Sequence, residues 1–221
     1  MKVLVLGASG FIGKSIVLKA PEHIELTGTY FKNKITIGNG HFEYLNYLDE
    51  EIDWNHIIES YSCIIVAARA NAESSIERDV VSDRSQTAFT KMIKAVRESR
   101  LKPFIVALNG SLTYGNRGEE LVRTDDEINP VGFAKSYSIA EKPFRDYLTQ
   151  DNEIAIVRAP WVLGPGSWFS QIYLGTNKIP IIGKGKQWMA VVSVEDLAEY
   201  VWQLVEVQTL SRIHISEPTR R

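Results

Sequence analysis

Two features of the sequence predict an α/β fold with a doubly wound parallel sheet. The first is a short apolar run at 2–6 that ends at Gly7 and is followed by Gly10 and Gly13, three glycines at equal spacing. The second is an alternation of apolar strand-like runs with amphipathic helical segments, the pattern of a parallel sheet covered by helices on both faces. Ligands bind such sheets at the carboxyl ends of the strands, so functional residues are expected there.

The glycines predict a phosphate-binding turn between the first strand and a helix at 11–19. Gly7 permits a tight turn, Gly10 leaves no Cβ between the backbone and a ligand phosphate, and Gly13 lets the helix pack closely on the strand. The free N–H groups and the positive dipole end of the helix attract a pyrophosphate. A glycine turn without a ligand is the alternative. The predicted cofactor contacts of this turn are Gly7, Ser9, Gly10, Phe11, Ile12 and Gly13.

The later elements follow from the same periodicity. Short apolar runs predict a third strand at 42–45, a fourth at 63–68 and a fifth at 104–108. A long amphipathic helix is predicted at about 74–100. Ser193 is predicted to cap the last helix, because its side chain can accept a hydrogen bond from a free N–H of the first turn.

The second predicted strand, at 25–31, ends without the acidic residue that would bind the adenosine ribose hydroxyls. Phe31 stands at its end, and Lys32 and Lys34 follow. Two lysines suit the extra phosphate of NADP better than a bare ribose. The predicted cofactor is therefore NADP or NAD, with NADP favoured and Lys32 as a contact; two merely solvated lysines are the alternative.

Composition argues against several classes of protein. The chain has 221 residues, 44% of them hydrophobic, and a formal net charge of −2 without a long basic run, so nucleic acid is not an expected partner. The single cysteine, Cys63, lies in an apolar run and is expected to be a buried thiol. The four histidines lack ligand spacing, which predicts no metal site. Neither a signal peptide nor a membrane-length apolar run is apparent, which favours a cytoplasmic protein without a membrane partner.

The run GASGFIG at 7–13 resembles the opening of the extended short-chain dehydrogenase/reductase proteins, also called the NAD-dependent epimerase/dehydratase family. The resemblance covers about 1–207 and implies a Rossmann-like domain that holds NAD or NADP. The run at 154–166 is similar to the family's sixth strand and to the loop that borders nicotinamide and substrate. For Ala67 and Ala68, two of the contacts that the resemblance implies, ordinary packing against neighbouring residues explains the small side chains equally well. The further cofactor contacts that the resemblance implies are Asn46, where the family has an aspartate, Ala67, Ala68 and Pro160.

The stretch that corresponds to the family's catalytic helix departs from its pattern of a tyrosine, a lysine four residues later and a glutamate four residues after that. With Glu141 as the anchor, the tyrosine position falls on Phe133 and the lysine position on Tyr137. With Tyr137 as the tyrosine, the lysine position is Glu141, which has the wrong charge. A tyrosine acts as an acid or base near neutral pH only where a cation lowers its pKa well below about 10. Tyr137 is the catalytic candidate, and an ordinary helix residue is the favoured interpretation.

The family's catalytic serine loop corresponds to 103–115. Asn109 and Gly110 replace its two serines in the ungapped match, and Ser111 lies one position later. Ser111 or Thr113 could supply the hydroxyl only if the loop shifts. Ser111 is the second catalytic candidate.

The predicted domain is 1–209, an NAD(P)-binding domain with the start of a truncated C-terminal substrate lobe at about 160–192. The segment 210–220 resembles, almost residue for residue, the translation of a sequencing-library adapter, so 210–221 is expected to be a non-native tail.

The resemblance implies an oxidoreductase or epimerase/dehydratase that transfers hydride between the cofactor and a small polar substrate, such as a nucleotide-linked sugar. The altered stretch at 133–141 favours the alternative, a cofactor-binding sensor or regulatory protein that lacks this chemistry. Fold alone cannot choose between them. A small-molecule substrate is the expected partner, and a homodimer is a candidate assembly.

Overall fold

A six-stranded parallel sheet forms the centre of the computed structural model. The predicted tail at 210–221 lies outside the described residues, as does much of the predicted lobe. The structure describes residues 1–38, 40–69, 72, 74–148, 154–174, 185 and 189–207.

The described elements alternate between strands and helices, and a second, two-stranded sheet lies near the end. The strands are β1 (Lys2–Leu6), β2 (Glu25–Tyr30), β3 (His41–Tyr44), β4 (Cys63–Val66), β5 (Phe104–Gly110), β6 (Ile154–Ala159), β7 (Trp161–Leu163) and β8 (Val191–Ser193). The helices are α1 (Phe11–Leu18), α2 (Trp54–Ile58), α3 (Ser75–Glu98), α4 (Ala134–Tyr147), α5 (Trp168–Leu174) and α6 (Val194–Val207), with a 3₁₀ turn at Ser111–Tyr114.

The strand order in the large sheet is β3-β2-β1-β4-β5-β6, and each neighbouring pair is parallel. The order reverses at β1, where the chain crosses from β3 back to β4. In open sheets of this kind a crevice forms at the carboxyl ends of the strands beside the reversal. The predicted doubly wound, Rossmann-like fold is confirmed.

Helices cover both faces of the sheet. Val3 and Val5 of β1 belong to the layer under α1 and α6, whereas Leu4 and Leu6 belong to the layer under α2, α3 and α4. This alternation follows from the period of two along a strand, and coverage of both faces explains why the strands read as continuous apolar runs. Cys63 is buried, as predicted, and burial raises the pKa of its thiol.

The predicted strands are confirmed, with differences at their ends. β4 ends at Val66, two residues earlier than predicted, so Ala67 and Ala68 lie just beyond the sheet. β5 continues to Gly110 because Asn109 and Gly110 pair with β6. The sequence did not predict α2, whose five residues bury only a tryptophan and an isoleucine.

Two buried hydrogen bonds fasten α1 to α6. The indole Nε1–H of Trp202 donates to the Ile16 carbonyl at 2.8 Å, and the Ser15 hydroxyl donates to the Val194 carbonyl at 3.1 Å. The predicted cap of α6 is confirmed, since the N–H of its third residue donates to Ser193 Oγ at 2.9 Å. The two bonds to α6 fix α1, whose first turn faces the carboxyl edge of the sheet.

Across the parts of the chain that the structure describes, no helix combines the length and apolar character that crossing a membrane requires.

Replacing Trp202 by Phe should lower the free energy of unfolding by about 2 kcal/mol, because the buried Ile16 carbonyl loses its donor. Denaturant unfolding followed by circular dichroism measures the change. Tyr200→Phe is the control, since it removes a polar group from the same helix without touching this bond; its expected effect is below about 0.5 kcal/mol. Equal losses in the two variants would contradict the assigned role of the indole bond.

Candidate functional site

The predicted site residues converge on one edge of the sheet. Because all six strands are parallel, their carboxyl ends meet at the same edge. Tyr137 joins this edge from α4, through its contacts with residues that follow β4 and belong to β5. The other predicted residues follow the strands directly: Gly7, Ser9, Gly10, Phe11, Ile12 and Gly13 after β1, Lys32 after β2, Asn46 after β3, Ala67 and Ala68 after β4, Ser111 after β5 and Pro160 after β6.

The turn after β1 depends on close backbone contacts that only glycine allows. Gly7 has φ +83°, and a Cβ on it would lie 2.6 Å from the Ala68 Cα. A Cβ on Gly13 would lie 2.1 Å from the Gly7 carbonyl oxygen. The Gly7 N–H donates to the Thr29 hydroxyl at 3.0 Å, which ties the turn to β2. The roles predicted for Gly7 and Gly13 therefore have a direct geometric basis.

The first turn of α1 is open to a ligand. Gly10 is its N-cap, without a side-chain cap, and the first turn has no acidic residue. The N–H groups of Phe11, Ile12 and Gly13 have no partner within the helix, as at any helix start. A Cβ on Gly10 would meet only the Gly7 carbonyl oxygen within 4 Å, at 3.3 Å. The backbone here can be approached closely, and this arrangement fits the pyrophosphate of a dinucleotide.

Aromatic and basic side chains lie at the ends of β2 and β3. The rings of Phe31 and Tyr44 lie 6.0 Å apart, and these side chains are 47% and 60% exposed. Lys32 and Lys34 are exposed beside them. This end of the crevice therefore offers positive charge and ring faces instead of the carboxylate that would bind a ribose.

Asn46 and the two alanines border the crevice from β3 and β4. Asn46 is half-buried, and its Oδ1 accepts the Leu48 N–H at 3.3 Å. The side-chain N–H groups of Asn46 donate to no group in the described part of the chain. Ala68 touches the glycine turn by its backbone, as described above, and both Ala67 and Ala68 pack partly against the core. Small side chains here keep the turn and β4 in contact.

A buried ion pair connects α4 to the sheet. The Glu141 carboxylate accepts from Arg158 Nη2 at 2.6 Å and from its Nε at 3.2 Å. Arg145 Nη1 donates to the same carboxylate at 3.1 Å, and the Asn109 amide also donates to it. The other side of Arg158 donates to the Tyr114 hydroxyl at 2.8 Å. One carboxylate thus gathers donors from β5, β6 and its own helix.

The charges in this network are compensated. Burial raises the pKa of Glu141, but the hydrogen bonds and the charge of Arg158, with smaller contributions from Arg145, outweigh it, so the pKa of Glu141 lies below its usual value. Burial likewise opposes the charge of Arg158, and Glu141 outweighs that effect and raises the pKa of Arg158. Both groups are held ionised because each satisfies the other.

The ion pair also decides how α4 presents its residues. With Glu141 held against the sheet, the residues one and two turns earlier are Tyr137 and Phe133, and neither is a lysine. Lys135 is exposed, and Lys142 is paired with an aspartate one turn on. The sequence alone predicts that Glu141 is an uncompensated carboxylate one turn from Tyr137. The structure differs, because its charge is taken up by two arginines.

The cation beside Tyr137 is Arg69, three residues beyond β4. Its guanidinium carbon lies 3.8 Å from the centroid of the Tyr137 ring, and its Nη2 donates to the Tyr137 hydroxyl. The Phe133 ring packs edge-on against Tyr137 with centroids 5.5 Å apart. Tyr137 is therefore held in an aromatic and cationic contact at the mouth of the crevice.

The turn after β5 does not bring a bonded hydroxyl to Tyr137. Asn109 donates to the Tyr137 carbonyl at 3.3 Å and so serves α4. Thr113 is fully buried, and its hydroxyl donates to the Gly110 carbonyl at 3.0 Å. Ser111 begins the 3₁₀ turn and is half-buried, and its hydroxyl has no bond within the described residues. Of the two hydroxyls considered from sequence, only that of Ser111 is unengaged.

The loop that follows β7 lies beside the glycine turn. A Cβ on Gly164 would lie 3.6 Å from the Phe11 ring, so this loop lies against the start of α1. Trp161 and Trp168 flank the loop with ring centroids 5.5 Å apart. This loop and the start of α1, which follows the glycine turn, are thus in contact with each other.

Sequence reasoning missed two residues of this edge, Arg69 and Thr29. Arg69 directly follows the alanines of the fourth predicted strand, so a cation at that strand end was a readable signal. The bond from Thr29 to Gly7 joins residues 22 positions apart, and no local pattern announces it. The described part of the chain holds no group of three His, Cys, Asp or Glu placed to bind a metal ion.

Replacing Glu141 by Gln should lower the free energy of unfolding by about 3–5 kcal/mol, because it leaves Arg158 buried without a counter-charge. Thermal or denaturant unfolding measures the loss. Glu98→Gln is the matched control, since Glu98 is exposed and its ion pair with Lys94 spans 3.9 Å; less than about 1 kcal/mol is expected there.

The same pair predicts a pH dependence. The pKa of Glu141 is lowered on folding, so its stabilisation is fully present above the pKa of a glutamate in the unfolded chain and is lost as the pH falls through the lower folded value. Wild-type stability should therefore decline more steeply in acid than that of Glu141→Gln. Parallel acid profiles for the two proteins would count against the ion pair.

Comparison with known proteins agrees with this geometry. The chain is similar to UDP-glucuronic acid 4-epimerase from Bacillus cereus, solved with UDP-glucuronic acid and NAD: identity is 17%, the TM-score is 0.81, and the match covers 99% of this chain and 77% of that one. It is similar to TunA, an NAD dependent NDP-hexosamine 5,6-dehydratase involved in tunicamycin biosynthesis (19% identity, TM-score 0.80, 98% and 76% covered). A hypothetical dTDP-4-dehydrorhamnose reductase from Sulfolobus tokodaii also matches (20% identity, TM-score 0.76, 98% and 76% covered).

No curated protein matches the sequence. The solved structures are too distant in sequence to show more than the fold. A family model, described as the NAD dependent epimerase/dehydratase family, matches residues 3–214. The glycine turn, the parallel sheet and this match lead to one conclusion: the chain belongs to the NAD dependent epimerase/dehydratase family.

Proposed function

We propose that this chain binds a nicotinamide dinucleotide at the carboxyl edge of its sheet, and that it does so without the tyrosine–lysine chemistry typical of its family. The observation that carries the proposal is the glycine turn. A Cβ on Gly13 would lie 2.1 Å from the Gly7 carbonyl, and the first turn of α1 presents uncapped N–H groups. This is a fitting cradle for a pyrophosphate.

The residues present suggest how the cofactor is held. The N–H groups of Phe11, Ile12 and Gly13 bind the pyrophosphate, and the free amide donors of Asn46 bind the adenine edge. Ala67, Ala68 and Pro160 border the nicotinamide half. When bound, such a cofactor supplies a hydride donor or acceptor. We also propose that the segment at about 160–192 forms the start of a substrate lobe. A cytoplasmic location and a homodimer complete the proposal.

The α4 geometry supports a sensor or regulatory role. The ion pair of Glu141 with Arg158 sets the register in which Phe133 and Tyr137 take the tyrosine and lysine positions of the family pattern. No lysine stands one turn after either aromatic residue. The chain therefore keeps the features that bind the cofactor and lacks those that move a proton for hydride transfer.

A second candidate is an oxidoreductase or epimerase/dehydratase that acts on a small polar substrate. The contact of Tyr137 with Arg69 favours it, because it holds a phenolic hydroxyl, a group that can donate or accept a proton, at the carboxyl edge of the sheet. A nucleotide-linked sugar is the proposed substrate class. It is supported by the UDP-glucuronic acid and NDP-hexosamine named for the similar structures.

Gly10→Val should abolish dinucleotide binding, because it places a branched side chain where the backbone approaches the pyrophosphate. Calorimetric titration with NAD and NADP measures binding, and thermal unfolding verifies the fold. Leu18→Ala, at the exposed far end of the same helix, is the control and should bind like wild type. Wild-type protein that binds neither cofactor at about millimolar concentration would refute the proposal.

The preference for NADP over NAD rests on Phe31, Lys32 and Lys34, while the family description and the similar complexes name NAD. Lys32→Glu should lower the ratio of NADP to NAD affinity about tenfold, because it removes a charge-assisted bond to the extra phosphate. Lys94→Glu makes the same charge change on α3 and should leave the ratio unaltered. Equal wild-type affinities, unchanged by Lys32→Glu, would mean that these lysines are only solvated.

Wild-type protein should show almost no hydride transfer with nucleotide sugars, because general acid–base catalysis worth about 10²–10⁴-fold is lost. Nicotinamide absorbance reports the turnover. Phe133→Tyr with Tyr137→Lys restores the family pattern and should raise the rate, while Phe133→Tyr alone is the control and should not. Several turnovers per second by wild type would establish the second candidate instead.

A further inference from the structure

Arg69 is a cation of the carboxyl edge to which the proposed cofactor binding assigns no contact. It lies three residues beyond β4, is exposed to solvent, and rests on the Tyr137 ring at 3.8 Å. Its hydrogen bond to the Tyr137 hydroxyl holds the guanidinium in place. Arginine keeps its charge at every physiological pH, so this is a fixed positive charge.

No carboxylate compensates this charge in the described part of the chain. None of the ion pairs found there includes Arg69. Two acids lie near Tyr137: Glu141 is engaged by Arg158 and Arg145, and Asp79 of α3 accepts from the Ser136 hydroxyl at 3.3 Å and forms no ion pair with Arg69. A tyrosine ring attracts a cation without neutralising it. Among the described residues, the pair of Arg69 and Tyr137 therefore presents net positive charge.

This charge lies on the nicotinamide side of the proposed cofactor site. In a doubly wound sheet the dinucleotide spans the reversal of strand order, here between β1 and β4. The adenosine half then lies toward β2 and β3, where the glycine turn is tied to Thr29. Arg69 follows β4, and Tyr137 is bonded to Asn109 of β5, so both belong to the other half.

We propose that Arg69 makes the site prefer the reduced cofactor over the oxidised one. The oxidised nicotinamide ring carries a positive charge and the reduced ring carries none, while the rest of the molecule is identical. A guanidinium next to the ring repels only the oxidised form. The repulsion strengthens as the bound cofactor displaces water from between the charges. This inference rests on the proposed cofactor site and adds a selectivity suited to a sensor of the nicotinamide redox state.

Affinities for NAD⁺, NADH and ADP-ribose, measured by calorimetry, test the proposal. ADP-ribose lacks the nicotinamide and reports on the rest of the site alone. Wild type should bind NADH about tenfold more tightly than NAD⁺, a difference of about 1.4 kcal/mol. Arg69→Gln should bring the two affinities within about twofold by strengthening NAD⁺ binding, and Arg69→Lys should retain most of the preference. Raising the salt concentration should reduce it in wild type, because partly exposed charges are screened.

Arg100→Gln is the matched control. It removes another exposed arginine, which precedes β5 and so lies at the opposite edge of the sheet. It should leave all three affinities unchanged. Equal wild-type affinities for NADH and NAD⁺, or a preference that survives both Arg69→Gln and high salt, would overturn the role of Arg69 while cofactor binding stands. Failure of wild type to bind any of the three ligands would overturn both this inference and the proposed function.

Discussion

Helix α1 approaches the turn after β1 so closely that a Cβ on Gly13 would lie 2.1 Å from the Gly7 carbonyl oxygen. The candidate site depends on this contact, because it brings the uncapped N–H groups of the helix to the edge where the strands end. Gly7 in turn touches Ala68 beyond β4, and its N–H donates to the Thr29 hydroxyl of β2. Contacts at Gly7 thus connect three neighbouring strands, β1, β2 and β4, around the start of α1, and α6 holds α1 by two hydrogen bonds.

A second constraint, the buried pair of Glu141 and Arg158, governs the other half of the crevice. It joins α4 to β6 and leaves Tyr137, rather than a lysine, one turn nearer the helix start. Tyr137 in this position contacts Arg69 from β4. The glycine turn proposed to bind pyrophosphate and the helix that would carry the chemistry are therefore held by separate contacts. A chain of this family can keep the first while the second departs from the family pattern.

The sequence predicted those features whose cause is local. Glycine spacing located the turn at 7–13, and apolar periodicity located the strands, because each signal lies within a few residues. The bonds from Arg69 to Tyr137 and from Glu141 to Arg158 span 68 and 17 positions, and only the fold brings such partners together. Even so, the glutamate anchor chosen from sequence is the residue that the structure buries. The individual cofactor contacts, including Lys32 and Asn46, remain predictions.

Amide hydrogen exchange at Phe11, Ile12 and Gly13, with and without saturating NADH, tests the central claim most directly. These N–H groups have no partner in the helix. Those of the half-buried Phe11 and Ile12 should exchange rapidly in the free protein and that of the buried Gly13 more slowly, and exchange should slow markedly when a pyrophosphate accepts their hydrogen bonds. Exchange of the α3 amides should be unaffected, because α3 covers the opposite face of the sheet from α1. Unchanged exchange at all three amides under conditions where NADH is bound would place the cofactor elsewhere and contradict the account.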